Sequence, residues 1–155
     1  MIETLRIMED DLTGEATVAL LRYHIEDLQR LSPPQSVHAM PAERLRQPDV
    51  TFWSAWDEET LAGCGALKHL AATHGEIKSM RAAPDYRGKG VGKAILLYLL
   101  AVAEARGYAR VSLETGSPDP FLPARCLYES HGFVECPPFG SYAVDPFSIF
   151  MTREL

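Results

Sequence analysis

Met80-Arg81-Ala82-Ala83-Pro84-Asp85-Tyr86-Arg87-Gly88-Lys89-Gly90-Val91-Gly92-Lys93 is the stretch on which the fold of this chain turns. A strand-like run, 76–82, leads into it, and an apolar run, 91–103, leaves it. Glycines stand at 88, 90 and 92 on the junction, where the absence of a Cβ lets the backbone turn tightly and a ligand come close. The following segment is helical in composition, so its first N–H groups lack intrahelical partners and favour an anion such as a phosphate. Five of the chain's 15 Lys and Arg fall between 78 and 93 (Lys78, Arg81, Arg87, Lys89, Lys93) with one acid, Asp85, in a protein of net charge −6. The stretch reads as a phosphate cradle.

Spacing separates three glycine-rich solutions. A nucleotide P-loop needs G-x-x-x-x-G-K followed by Ser or Thr. Gly92-Lys93 supply the GK, but the first glycine falls on Arg87, and Ala94 follows the lysine without a hydroxyl for magnesium. A dinucleotide fingerprint needs G-x-G-x-x-G. From Gly88 the third glycine falls on Lys93, and from Gly90 on Ile95. The third pattern is Gln or Arg, two residues, Gly, one residue, then Gly or Ala, and Arg87–Gly92 matches it. Farther on, Ala124-Arg125-Cys126-Leu127-Tyr128-Glu129-Ser130-His131-Gly132-Phe133 matches A-x-x-L-Y-x-x-x-G-F.

In these two motifs and their order, over about residues 76–134, the chain resembles the GNAT superfamily of acetyl-CoA-dependent N-acetyltransferases. The resemblance implies acetyl-CoA as acyl donor. Arg87, Gly88, Lys89, Gly90, Val91, Gly92 and Lys93 would surround its pyrophosphate, and backbone groups of Met80, Arg81 and Ala82 would meet the pantetheine and polarise the thioester carbonyl. It implies that Tyr128 is the acid that protonates the departing thiolate. Glu76 and Glu114, on the two strands flanking the thioester, are the candidate bases by residue type, each equally readable as a strand-end charge or a ligand of the substrate ammonium. One position departs from the family: Phe121 stands where many members carry an Asn that hydrogen-bonds the cofactor arm.

Length and composition fit that picture. A chain of 155 residues, 46% hydrophobic and 23% charged, predicts one domain over residues 1–155. The acidic balance argues against general nucleic-acid binding and suits an amine acceptor. The apolar run 94–103 is too short for a bilayer, which takes ~20 residues, and the N-terminus reads as neither signal nor transit peptide. Cys64, Cys126 and Cys136 form no C-x-x-C pair and read as free thiols of a cytoplasmic protein. The histidines show no metal spacing. Cys126 and His131, five apart on one helix, do not share a face.

Taken in order, residues 2–8 predict a strand and Leu12–Leu31 a helix, capped by Thr13 with Glu15 in its first turn and stopped by Ser32-Pro33-Pro34. A short helix spans 41–47. Val50–Trp56 and Leu61–Leu70 read as a hairpin, with Gly63 and Gly65 marking a bulge or close backbone packing. His74 falls in a polar turn before the strand 76–82 and reads as solvated. The glycine loop then leads into a helix to Arg106, closed by Gly107. Next come a parallel strand at 110–115, a helix at 121–131, and strands starting at 133 and spanning 146–152. Four aromatics, Phe139, Tyr142, Phe147 and Phe150, read mostly as core of the last strands, with some available to line the acceptor pocket. The expected fold is α/β and GNAT-like, a mixed central sheet of about seven strands with about four helices.

Three functions follow: direct acetyl transfer to a primary amine of a small molecule or peptide; an inactive acyl-CoA-binding or regulatory module; or an acetyltransferase for protein N-termini or lysines. Such enzymes often dimerise, but nothing in the sequence fixes an interface. The acceptor lies in variable segments such as 21–45 and 137–147.

Overall fold

The computed structural model describes residues 5–155, so the first strand's residues 2–4 lie outside the described residues. The strands are β1 (Arg6–Glu9), β2 (Val50–Asp57), β3 (Thr60–Ala71), β4 (His74–Ala82), β5 (Arg110–Gly116), β6 (Val134–Glu135) and β7 (Ser148–Glu154). The helices are α1 (Glu15–Leu31), α2 (Ala42–Leu45), α3 (Val91–Ala105) and α4 (Leu122–Ser130). Among the described residues, seven strands form one sheet in the order β1-β2-β3-β4-β5-β7-β6. Neighbours are antiparallel except β4 and β5, which are parallel, as the crossover through α3 requires. This is the mixed α/β sheet that the sequence predicts.

Each face of the sheet has its own core. On one, α3 lays down Val91, Ile95, Leu96, Leu99, Leu100 and Ala103, a helical stripe, over Ile77, Val111, Leu113 and Met151, and Tyr128 and Phe133 complete it. On the other, Leu20 and Leu21 of α1 and Leu45 of α2 cover Phe52, Cys64 and Ala66. No helix among the described residues is long and apolar enough to cross a membrane.

Two local expectations change. Gly14, not Thr13, is the residue before α1, and it makes no side-chain cap; the Thr13 hydroxyl donates instead to Asp11 at 2.6 Å. Strand β4 starts at His74, because the turn from β3 takes only Ala72 and Thr73.

Gly63 and Gly65 serve close packing. A Cβ on Gly63 would stand 2.8 Å from the Arg81 carbonyl oxygen and 2.9 Å from Ile95 Cδ1, so α3 lies directly on this backbone. The bulge is on the partner strand. Cys64 pairs with Arg81 and Ala66 with Lys78, leaving Ser79 and Met80 opposite the single residue Gly65, with Ser79 at φ 52. Such a bulge bends its strand. The β4–β5 ladder runs from His74↔Arg110 to Ile77↔Leu113 and stops there. Beyond it, β4 stays paired with β3 to Ala82 and β5 with β7 to Gly116. The two strands therefore part, and their facing edges, 78–82 and 114–116, carry no β4–β5 pairing.

Candidate active site

The glycine loop lies beyond the open end of this split. After the 3-10 turn Pro84–Tyr86, Gly88 and Gly90 take φ 71 and 84, a left-handed conformation that disfavours any side chain. Gly90 precedes α3 and accepts the Ala94 N–H at 3.1 Å. The Gly88 and Gly90 N–H groups meet no backbone acceptor, and those of Val91, Gly92 and Lys93 begin a helix and have none within it. The loop is held from both sides: the Tyr86 hydroxyl donates to Asp57 at 2.8 Å, and Arg87 donates to the Tyr23 hydroxyl at 2.7 Å.

The five cations separate into different tasks. Arg87, Lys89 and Lys93 are exposed on the loop and the start of α3. Arg81 is not free: its Nε donates to His24 Nδ1 at 2.8 Å and its Nη1 to Asp27 at 3.0 Å, and its carbonyl faces Gly63 of β3. Burial raises the Asp27 pKa, but Arg81 and then Arg30 outweigh it, so the carboxyl is held below its ordinary value. Burial, reinforced by Arg81, drives His24 down to about 3 and keeps it neutral. His24 and Asp27 sit four and seven residues after Leu20, on the helix's apolar stripe. Polar residues at that spacing are the signal that a buried partner exists.

Lys78 lies on the opposite side of the split's vertex from Glu114, buried, with Nζ 3.3 Å from Glu76 and 2.7 Å from the Tyr142 hydroxyl. Glu76 is 3% exposed and accepts from that hydroxyl at 2.6 Å, so both its candidate roles are constrained by a closed triad. Burial, then the charge of and hydrogen bond to Glu76, raise the Tyr142 pKa and keep it a donor. Glu114 meets His38 Nδ1 at 2.5 Å and accepts from Ser148 at 2.8 Å. Burial raises its pKa, against the lowering effect of Ser148 and His38.

These groups cluster on the α1/α2 face of the sheet. Two loops reach the cluster, through His38 and Tyr142, and are joined where Ser36 donates to Asp145 at 2.6 Å. Phe139, Tyr142 and Phe150 pack together beside it, with the Phe139 ring 5.2 Å from Tyr142 and 5.9 Å from Phe150; Phe147 instead is partly exposed. His74 is not a solvated turn residue: its Nε2 bonds the Ser112 hydroxyl at 2.7 Å, and burial lowers its pKa. The sequence points to segments 21–45 and 137–147, to Tyr142 among the C-terminal aromatics and to Lys78 among the clustered cations, but gives no sign of His38 or Ser148; all four meet only through the fold.

Across the sheet, Tyr128 is 7% exposed and packs its ring edge-on to Phe133, 5.8 Å away. Burial pushes its pKa up to about 12, and it lies close enough to Arg81 for that charge to oppose the rise. Phe121 packs its ring on Gly116, where a Cβ would stand 2.3 Å from the ring. The loop carbonyls there are held by Arg125, whose Nη1 donates to Gly116 O at 2.7 Å. Cys126 is exposed, while His131 Nδ1 bonds its own helix at Leu127 O, so the two form no thiol–imidazole pair.

The arrangement suits a long ligand with an anionic end. Unpaired N–H groups and exposed cations would receive a pyrophosphate, and the open edge of β4 would receive an amide-bearing arm as another strand would. The one buried side-chain polar atom without a partner among the described residues, Ser79 Oγ, lies on that stretch. A separate concavity of about 690 Å³ near Met8, Asp11 and Trp56 lies at the β1 edge of the sheet, away from the split.

Comparison with known proteins converges on one family. The sequence model of the acetyltransferase (GNAT) family matches residues 17–133. The chain is 53% identical over 151 residues to the uncharacterized N-acetyltransferase YsnE of Bacillus subtilis (strain 168), covering 97% of this chain and 100% of that one. It is 36% identical over 137 residues to the IAA acetyltransferase of Azospirillum brasilense, covering 84% and 88%. Its fold superposes with TM-score 0.79, at 25% identity and over 98% of both chains, on the putative acyl-CoA N-acyltransferase of Klebsiella pneumoniae.

Proposed function

Because the chain belongs to the acetyltransferase (GNAT) family, we propose that it moves the acetyl group of acetyl-CoA to the primary amine of a small molecule by direct attack. The observation that carries this is the split: the β4–β5 ladder ends at Ile77↔Leu113 and opens toward a loop of unpaired N–H groups. Acetyl-CoA supplies a thioester carbon for the amine to attack. Arg87–Lys93 bind the pyrophosphate end. The bulged, unpaired edge of Lys78–Ala82 orients the arm and offers a backbone N–H to the carbonyl oxygen. Tyr128, kept protonated by burial, donates to the sulfur as the C–S bond breaks. Proton removal from the amine falls to the Glu114 side of the vertex, because the Glu76 carboxylate is held between Lys78 and Tyr142.

A small acceptor is favoured over a protein because the Ser36–Asp145 bond and the Tyr142–Glu76 bond tie both loops down beside Glu114, whereas a polypeptide acceptor needs an open groove. The test is thiol release from acetyl-CoA with tyramine and with a lysine-containing peptide bearing a free N-terminus. The account expects release with the small amine and none above background with the peptide. A faster rate with the peptide moves the assignment to protein acetylation, and binding without turnover across amines moves it to an acyl-CoA-binding module.

A further inference from the structure

We propose that His38 is the general base of this site and that Glu114 is its positioning residue, an inference that rests on the acetyl-transfer reading above. The argument begins at the vertex of the split. Ile77 and Leu113 form the last β4–β5 rung, so Lys78 and Glu114 are the first residues past it. A ligand anchored at Arg87–Lys93 and laid along the free edge of β4 ends there. Glu114 meets His38 at that point.

The hydrogen bond determines which imidazole nitrogen is available. An ionised carboxylate only accepts, so the nitrogen facing Glu114 across 2.5 Å, Nδ1, carries the proton. The neutral ring then has its lone pair on Nε2, and no described residue occupies Nε2. The ring cannot easily turn over. Tyr142 packs against it edge-on with centroids 5.1 Å apart, and Ser148 holds the same Glu114 oxygen at 2.8 Å. The loop that carries His38 is tied down two residues earlier by the Ser36–Asp145 bond. A carboxylate that fixes tautomer and orientation, with the distal nitrogen left free, is the arrangement a general base needs.

Exposure separates the two roles. The Glu114 side chain is 13% exposed and receives two donors, whereas His38 is 32% exposed and can pass a proton to water. Both ring and partner sit among charged and titratable groups: Glu114 from β5, Asp145 and Tyr142 from the C-terminal segment, and Lys78 and Glu76 from β4. The protons balance. Acetylating an ammonium forms one C–N bond, breaks one C–S bond and releases two protons from nitrogen. His38 Nε2 takes the first, which frees the lone pair for attack, and returns it to solvent. The second ends on the CoA sulfur through Tyr128.

The test has an arm that needs no turnover. In the free protein, nitrogen-15 shifts of the His38 ring at neutral pH should show Nδ1 protonated and Nε2 bare, and Glu114→Gln should erase that preference. With acetyl-CoA and tyramine, His38→Gln should lower kcat by roughly 10²-fold, abolish the acid limb of the kcat–pH profile, and leave the acetyl-CoA-induced rise in melting temperature unchanged. A proton on Nε2 in the wild type overturns the proposal. So does a His38→Gln enzyme that keeps its rate and acid limb. If the wild type itself fails to turn over every amine tried, the acetyl-transfer reading falls and takes this one with it; wild-type turnover that ignores His38 sinks only this one.

Discussion

Tyr128→Phe lowers kcat for acetyl transfer about 10²-fold and leaves acetyl-CoA affinity within about twofold. The substitution removes one oxygen and keeps the ring, so the edge-on contact with Phe133 at 5.8 Å survives and the core around α4 is undisturbed. What is lost is a proton donor. Burial holds the phenol near pKa 12, so at neutral pH it is fully protonated; the proton it gives to the departing thiolate as the C–S bond breaks is replaced by the one that the acetylated nitrogen sheds. Because the group acts only as the C–S bond breaks, its loss should appear in kcat and not in binding. Thiol release gives the rate, and calorimetric titration with acetyl-CoA the affinity. Turnover equal to wild type would remove Tyr128 from the chemistry and leave it a packing residue.

Asp27→Ala destabilises the protein by about 3 kcal/mol and weakens the loop that it helps to hold. Asp27 is 6% exposed and receives Arg81 at 3.0 Å, with Arg30 on its other oxygen; Arg87 stands 3.9 Å away. Deleting the carboxylate strands the Arg81 guanidinium against a neutral His24. That guanidinium keeps 15% exposure and therefore some water, which places the cost at the lower end for a broken buried pair. The pH dependence has a definite sign. A carboxyl whose pKa is depressed by folding stabilises above its unfolded value and loses that contribution as pH falls through the folded one. The gap between wild type and variant is therefore full at pH 7 and closes only below about 4, which urea titrations at neutral and acid pH would read directly. A gap under about 1 kcal/mol at pH 7 would mean that water replaces the carboxylate at little cost.

What the sequence made legible is what short-range physics controls. Glycines at fixed spacing before an apolar helix locate the loop of unpaired N–H groups, because the left-handed φ at Gly88 and Gly90 and those N–H groups are local properties of those residues. Apolar periodicity places α3 for the same reason. The bulge was not legible. Serine and methionine at 79 and 80 carry no turn signal, and Ser79 adopts φ 52 only because the register on both sides is fixed by tertiary pairing. Gly65, which drew attention as a possible bulge, marks the opposite strand. The polar cluster was hidden for another reason. His38 and Glu114 are 76 residues apart, and Tyr142 and Glu76 are 66 apart, so no window of sequence contains either pair. Lys78 illustrates the cost of reading charge without depth: it counts toward a basic island in the sequence and is buried beside a carboxylate in the fold.

The central claim is that the split and its glycine loop form an acetyl-CoA site. Its most direct test is the melting temperature of the wild-type protein with acetyl-CoA, set against ATP and NAD at equal concentration. A ligand at about 100 times its dissociation constant adds about 2.7 kcal/mol to the folded state. The account predicts a clear rise of several degrees with acetyl-CoA and little with the other two. No rise with acetyl-CoA, or a larger one with ATP, would contradict it.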